Sequence, residues 1–307
     1  MSKPVVATWT AGENQDREAL LLVSSVRAFA GRLHSASLWV LHPSTAPPFE
    51  PSVERQLAGL GVEVIPFRPA DDAPDVPAAA RVQGAAVAEE RAAGQTDTLL
   101  WMDPDTIVLR DADTLLLPEG KTLACSPVHL QLIGSSWDEP VDDFWGLLYE
   151  RLGVDAGAPY AVTTAVDRKK VRAYFDAGLL VVRPDGGLLR RWQDDFARLC
   201  DDAAAKAFFI DDPQYHEFFH QAVLAATVLA TVARDESVEL PPLVNYPLHL
   251  LDQITSERRP WSLNDLVTCR YDTLEYLVES GWRALVRLDE PVRGWLDDTL
   301  AGGRARL

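Results

Sequence analysis

Four short apolar runs, Val5–Trp9, Ser37–Leu41, Val62–Phe67 and Thr98–Met102, lie along the first hundred or so residues, and helical patterns separate them. Ala19, Leu22, Val23, Val26, Phe29 and Ala30 recur at helical spacing, with Asn14 or Asp16 placed to cap and Gly31 to close. A short helix is expected over 51–60 and a longer one over 78–93, ending at Gly94. Strands alternating with helices pair in parallel through crossovers, so the chain predicts an α/β fold: a mixed, mostly parallel sheet flanked by helices. In such sheets ligands gather outside the carboxyl ends of the strands. That rule sets Thr8, Trp9 and the residues after Met102 on one rim.

Later segments are less regular. Lys121–Val128 reads as a strand and Val141–Leu152 as a helix carrying Phe144-Trp145. Tyr174–Arg183 reads as a strand with a small-residue kink, Asp176-Ala177-Gly178. Helices are expected over 187–199 and 213–233, then an irregular or extended stretch over 243–251. Pro69–Pro77, rich in Pro, Asp and Ala, reads as an exposed loop. No internal repeat and no second-domain boundary is visible. The expectation is one domain over 1–307, with a core at 4–251 and a C-terminal extension at 252–307.

The rim carries a D-x-D pair, Asp103-Pro104-Asp105, between the buried run ending at Met102 and a second run, Thr106–Leu109. Two close carboxylates repel unless a cation or donors offset them. Hard oxygen ligands at a strand end suit Mg²⁺ or Mn²⁺, which commonly hold substrate phosphates. The same residues would equally make a turn around Pro104.

Composition removes several functional classes. The net charge of −17 disfavours nucleic acid and acidic membranes, both polyanions. A phosphate-bearing small substrate would need a local cation. The three cysteines, Cys125, Cys200 and Cys269, form no C-x-x-C pair, so neither a disulfide framework nor a cysteine zinc site is expected. No apolar run is long enough to span a membrane, and the N-terminus lacks a signal-peptide pattern, so a cytoplasmic location is the default. G-x-G-x-x-G and P-loop patterns are absent after the first strand, which disfavours an ordinary dinucleotide site.

Taken in order, these segments resemble glycosyltransferases of the GT-A fold, similar to glycogenin and bacterial galactosyltransferases. The family's nucleotide-holding first strand corresponds to Thr8-Trp9, its basic helix residue to Arg81, and its D-x-D to Asp103 and Asp105. Its N-A-G strand corresponds to Asp176-Ala177-Gly178, its D-Q helix to His220-Gln221, and its proline-rich turn to Leu240-Pro241-Pro242 with Asn245. The resemblance covers roughly 4–251. It implies transfer of a sugar from a nucleotide-sugar donor, more often UDP-linked, to an acceptor it does not name.

It further implies Mn²⁺ or Mg²⁺ on Asp103 and Asp105, bridging to the donor diphosphate as Lewis acid and template. Asp176 and Gln221 become the catalytic candidates around an oxocarbenium-like centre. Thr8, Trp9, Arg81, Ala177, Gly178 and Asn245 become donor-binding candidates. Three departures stand out. Arg81 takes the place of a lysine, Asp176 that of an asparagine, and His220 that of an aspartate. The family's late metal-binding histidine has His249 as its candidate; Cys269-Arg270-Tyr271-Asp272 occupies a plausible place for it but offers no His.

Other readings stay open. A degenerate GT-A domain could bind a nucleotide or partner without catalysis. His216-Glu217-Phe218-Phe219-His220 is a literal H-E-x-x-H, the pattern of a zinc metallopeptidase, with Glu236 or Glu239 as a third ligand. Pro213 starts the helix, however, which puts His216 in its first turn rather than mid-helix. A haloacid-dehalogenase-type phosphatase also uses D-x-D, but on its first strand and with Thr or Val where Ile107 stands.

Overall fold

A computed structural model describes residues 2–70, 76, 78–210, 212–278 and 281–304. The strands are β1 Val5–Trp9, β2 Ser37–Pro43, β3 Val62–Phe67, β4 Leu99–Met102, β5 Thr106–Val108, β6 Leu123–Pro127, β7 Ala161–Thr163, β8 Lys170–Arg172, β9 Phe175–Val182, β10 Ser237–Glu239, β11 Tyr246–Pro247 and β12 Thr268–Arg270. The helices are α1 Glu13–Phe29, α2 Pro51–Gly59, α3 Ala79–Ala92, α4 Asp143–Leu152, α5 Leu188–Asp201, α6 Ala203–Phe209, α7 Pro213–Thr231, α8 Leu274–Val278 and α9 Val292–Arg304. Most of the Pro69–Pro77 loop lies outside the described residues.

Seven strands form the main sheet in the order β10-β6-β9-β4-β1-β2-β3. β9 runs antiparallel to both β4 and β6; the other pairings are parallel. This is the mixed, mostly parallel sheet that the alternating pattern predicts. Every residue of β1, β4, β6 and β9 is buried, the mark of strands covered on both faces. α3, α4, α5 and α7 contribute to the apolar layer on one face, and α1 and α2 to that on the other.

The ends of the predicted elements shift by small amounts. α1 starts at Glu13 after Gly12 without a side-chain cap, so neither Asn14 nor Asp16 caps it. α4 is capped by Asp142, whose side chain accepts the Trp145 N–H. α7 is capped by Asp212 and ends at Thr231. Small residues on α3 let it lie close on the sheet. A Cβ at Gly84 would sit 3.3 Å from Trp101 and 3.6 Å from the Trp9 Cβ, so glycine permits this approach.

After β4 the chain leaves the main sheet. β5 joins a three-stranded sheet, β11-β12-β5, in which β12 runs antiparallel to β5 and Arg270 sits opposite Thr106. The Tyr271 N–H donates to the Asp105 carbonyl at 3.0 Å, which fixes β12 against the D-x-D turn. The C-terminal part therefore reaches the carboxyl end of the main sheet. A third apolar cluster, including Ile107, Leu248, Tyr271 and Trp282, packs beneath it.

Candidate active site

A cavity of about 380 Å³ opens at the carboxyl ends of β1 and β4, within the range of small-molecule sites. Its walls bring together Trp9, Arg81, Asp105, Asp176, Gln221 and His249 from separate elements. Thr8, Asp103, Ala177, Gly178 and Asn245 lie in or behind the walls rather than on the surface of the cavity.

Asp103 follows the last residue of β4, and its N–H donates to the Gly178 carbonyl at 2.7 Å. The carboxylate is fully buried. Its Oδ1 accepts from Trp9 Nε1 at 3.4 Å, and its Oδ2 lies 2.9 Å from Arg81 Nη2 and 3.1 Å from Arg270 Nη2. Burial pushes its pKa up, and the two guanidiniums oppose that rise.

Arg81 sits in the first turn of α3. Besides Asp103, it donates through Nη1 to His220 Nε2 at 2.7 Å, and it lies over the Trp9 ring at 5.8 Å. Arginine has only donors, so His220 Nε2 must be the acceptor and the imidazole neutral. Its Nδ1 faces the Glu217 carbonyl at 3.0 Å as the matching donor. Burial, then Arg81, holds the His220 pKa well below the usual range. Both ring nitrogens are thus engaged within the protein, a poor basis for H-E-x-x-H zinc ligation.

Arg270 is the residue the motif reading passed over. Its Nε reaches both Asp105 oxygens at 3.2 Å, its Nη2 donates to Asp105 Oδ2 at 2.9 Å, and its Nη1 reaches Asp176 Oδ1 at 3.5 Å. One guanidinium therefore contacts all three acidic candidates. Asp176 Oδ1 also accepts the Gly178 N–H at 2.7 Å. Burial raises the Asp176 pKa, but Arg270, His129 and that N–H outweigh it and hold the carboxyl well below its usual range. Nothing local in the sequence marks Arg270; a three-residue strand paired across a long sequence gap brings it here.

Small residues make this packing possible. A Cβ at position 178 would lie 2.6 Å from Arg270 Nη1 and 2.8 Å from Asp103 Oδ2 and Asp176 Oδ1. The Ala177 N–H donates to Gln221 Oε1 at 2.9 Å, which fixes the amide of α7 against β9. Asn245 has positive φ, and its carbonyl accepts from His129 Nε2 at 2.9 Å. The buried Thr8 hydroxyl and the buried Arg81 Nε have no hydrogen-bond partner among the described residues.

The carboxylates as arranged do not fit a Mn²⁺ or Mg²⁺ ion. Both Asp105 oxygens already accept from Arg270, and Asp103 Oδ2 lies against two guanidiniums. His249 Nδ1 faces the Arg270 carbonyl at 3.4 Å, and burial followed by Arg270 lowers its pKa. Among the described residues, no three His, Cys, Asp or Glu side chains are grouped to hold a metal ion. An ion at the D-x-D would have to displace Arg270.

A family model for the Rhodobacterales glycosyltransferase domain matches residues 8–230. The chain belongs to this glycosyltransferase family. Its fold is similar to that of an active-site mutant of LgtC, with a TM-score of 0.55 at 17% identity over 97% of this chain and 95% of that one. It is also similar to the bifunctional glycosyltransferase WbbM in its apo structure, with a TM-score of 0.52 at 15% identity over 88% of this chain. There the match spans only 46% of WbbM. No curated protein matches the chain in sequence. The family and these folds identify a GT-A glycosyltransferase. Arg270 lies beyond the residues that the family model matches. No helix among the described residues is long and apolar enough to cross a membrane.

Proposed function

We propose that the chain transfers a sugar from a nucleoside-diphosphate donor, a UDP-sugar in the first instance, to an acceptor hydroxyl. One observation carries this reading. A single cavity at the strand ends of a glycosyltransferase fold joins the Trp9 indole, the Arg81 and Arg270 guanidiniums, the Asp105 and Asp176 carboxylates and the Gln221 amide. These are the groups a nucleotide sugar needs: Trp9 for the base or ribose, Arg81 and Arg270 for the diphosphate, Asp176 and Gln221 for the sugar.

Transfer breaks the bond between the anomeric carbon and the diphosphate, so negative charge builds on the leaving phosphate as the sugar centre turns positive. Fixed cations beside that phosphate favour the separation, because they act without reorganising. Asp176, held ionised, lies where it can accept from a sugar hydroxyl. Gln221, anchored to Ala177, supports the same wall.

A thermal-shift screen of UDP-, GDP- and dTDP-sugars tests the reading. A UDP-sugar should stabilise the chain, and Trp9→Ala should remove the shift while unfolding remains cooperative. The reading fails if no nucleotide sugar protects the wild-type protein, or if Trp9→Ala is protected equally.

A further inference from the structure

We infer that the Arg270 guanidinium is the resident cation of this donor site, holding the D-x-D carboxylates and meeting the diphosphate where a divalent ion would otherwise stand. The inference rests on the nucleotide-sugar reading above and concerns what neutralises the donor's charge.

Arg270 contacts three acidic groups of the site: Asp105 at 2.9 Å, Asp103 at 3.1 Å and Asp176 at 3.5 Å. It is held there from three directions. β12 pairs with β5, the Tyr271 N–H donates to Asp105, and the bare Cα of Gly178 leaves room for Nη1. A side chain placed by backbone pairing on one side and by a glycine on the other is built in, not draped over the surface.

The site also supplies two fixed cations. Arg81 and Arg270 are the cationic side chains among the residues described as lining the cavity. Together they carry the formal charge of one divalent ion. Arginine suits the task because its charge is permanent and its planar donors match phosphate oxygens. Arg270 does not spend all its donors on the protein. Its hydrogen bonds to Asp105 and Asp176 involve one N–H each from Nε, Nη1 and Nη2. Nη2 also faces Asp103 at 3.1 Å, so of the five N–H groups of a guanidinium one on Nη1 is left to meet a phosphate.

Two measurements on the full-length chain, purified through EDTA, test this. In the first, calorimetry follows binding of UDP, GDP and dTDP in EDTA and again in Mn²⁺. Wild type should bind one of them with the same affinity in both, and Arg270→Ala should lose about 10- to 100-fold of that affinity in EDTA, the loss expected for a charge-assisted bond. Arg270→Lys, which keeps the charge, should recover part of it and serves if the alanine variant does not fold. In the second, the electron paramagnetic resonance signal of free Mn²⁺ should be undiminished by wild-type protein saturated with the nucleotide.

Nucleotide binding that appears only with Mn²⁺, or Mn²⁺ taken up stoichiometrically by the nucleotide-bound wild type, overturns the inference and leaves the donor reading standing. Wild-type affinity in both Arg270 variants also overturns it. Failure of every nucleoside diphosphate to bind the wild type in either condition removes the donor reading, and this inference with it.

Discussion

Glu18 on α1 is the carboxyl group whose charge state should leave the clearest trace in stability. It is buried, at 6% exposure, and burial followed by the neighbouring charge of Asp105 raises its pKa from 4.5 to about 8. At neutral pH the folded chain therefore keeps a proton on Glu18 that the unfolded chain has released. Stability from this group is complete below the unfolded value of 4.5 and is lost as pH rises towards about 8. At about 1.36 kcal/mol per pH unit, the loss by pH 7 is about 3 kcal/mol.

Glu18→Gln removes that dependence, because an amide never ionises and its oxygen can still accept the Leu274 N–H. For 307 residues unfolding with about 2.1 cal/mol/K each, 3 kcal/mol corresponds to a rise in Tm of about 5 °C. Thermal unfolding of both proteins from about pH 5.5 to 8.5 measures it. The two curves should lie close together at the acid end and separate steadily towards pH 8, with the glutamine variant higher. A difference that stays constant with pH, or a variant less stable at pH 8, would refute the reasoning.

Three further outcomes follow from the same geometry. Gly178→Ala should cost about 1–3 kcal/mol in denaturant unfolding and abolish nucleotide protection, since its methyl group would drive apart Arg270, Asp103 and Asp176. Arg81→Met should destabilise by about 3 kcal/mol, because it leaves the buried Asp103 with one guanidinium and the His220 acceptor without its donor; urea unfolding reads this. Trp101→Ala, at a fully buried position in β4, should cost about 3–5 kcal/mol in the same assay; a loss below 1 kcal/mol would mean the sheet relaxes around the gap.

Much of the framework was legible because its signals are local. β1 to β4 are runs of apolar residues with polar breaks, and α1 and α3 repeat at helical spacing, so their order alone predicts the parallel half of the sheet. Asp103 and Asp105 stood out because a doubled carboxylate between two buried runs is unusual. Asp176, Gln221 and Asn245 were named as candidates through resemblance alone, since an acid on a strand and an amide on a helix are commonplace by themselves. The resemblance reached the segment that holds Arg270, at the place of the late histidine, but gave the arginine no role. β12 is three residues long, and its partner β5 is no longer, so no periodicity develops. His220 was weighed as a zinc ligand because the H-E-x-x-H spacing is visible in sequence, whereas the Arg81 that engages it comes from a helix 139 positions away.

The pairing of β12 with β5 also sets an order of events for the nascent chain. Asp105 and its guanidinium are 165 residues apart. A ribosome that has completed the main sheet has delivered the carboxylates and Arg81 but not Arg270. Until β12 emerges and docks, Arg81 can offset Asp103, but Asp105 and Asp176 lack the guanidinium that joins them. The cluster of Asp103, Asp105, Asp176 and Arg270 is thus assembled only once β12 has been made and docked, well after the strands of the main sheet.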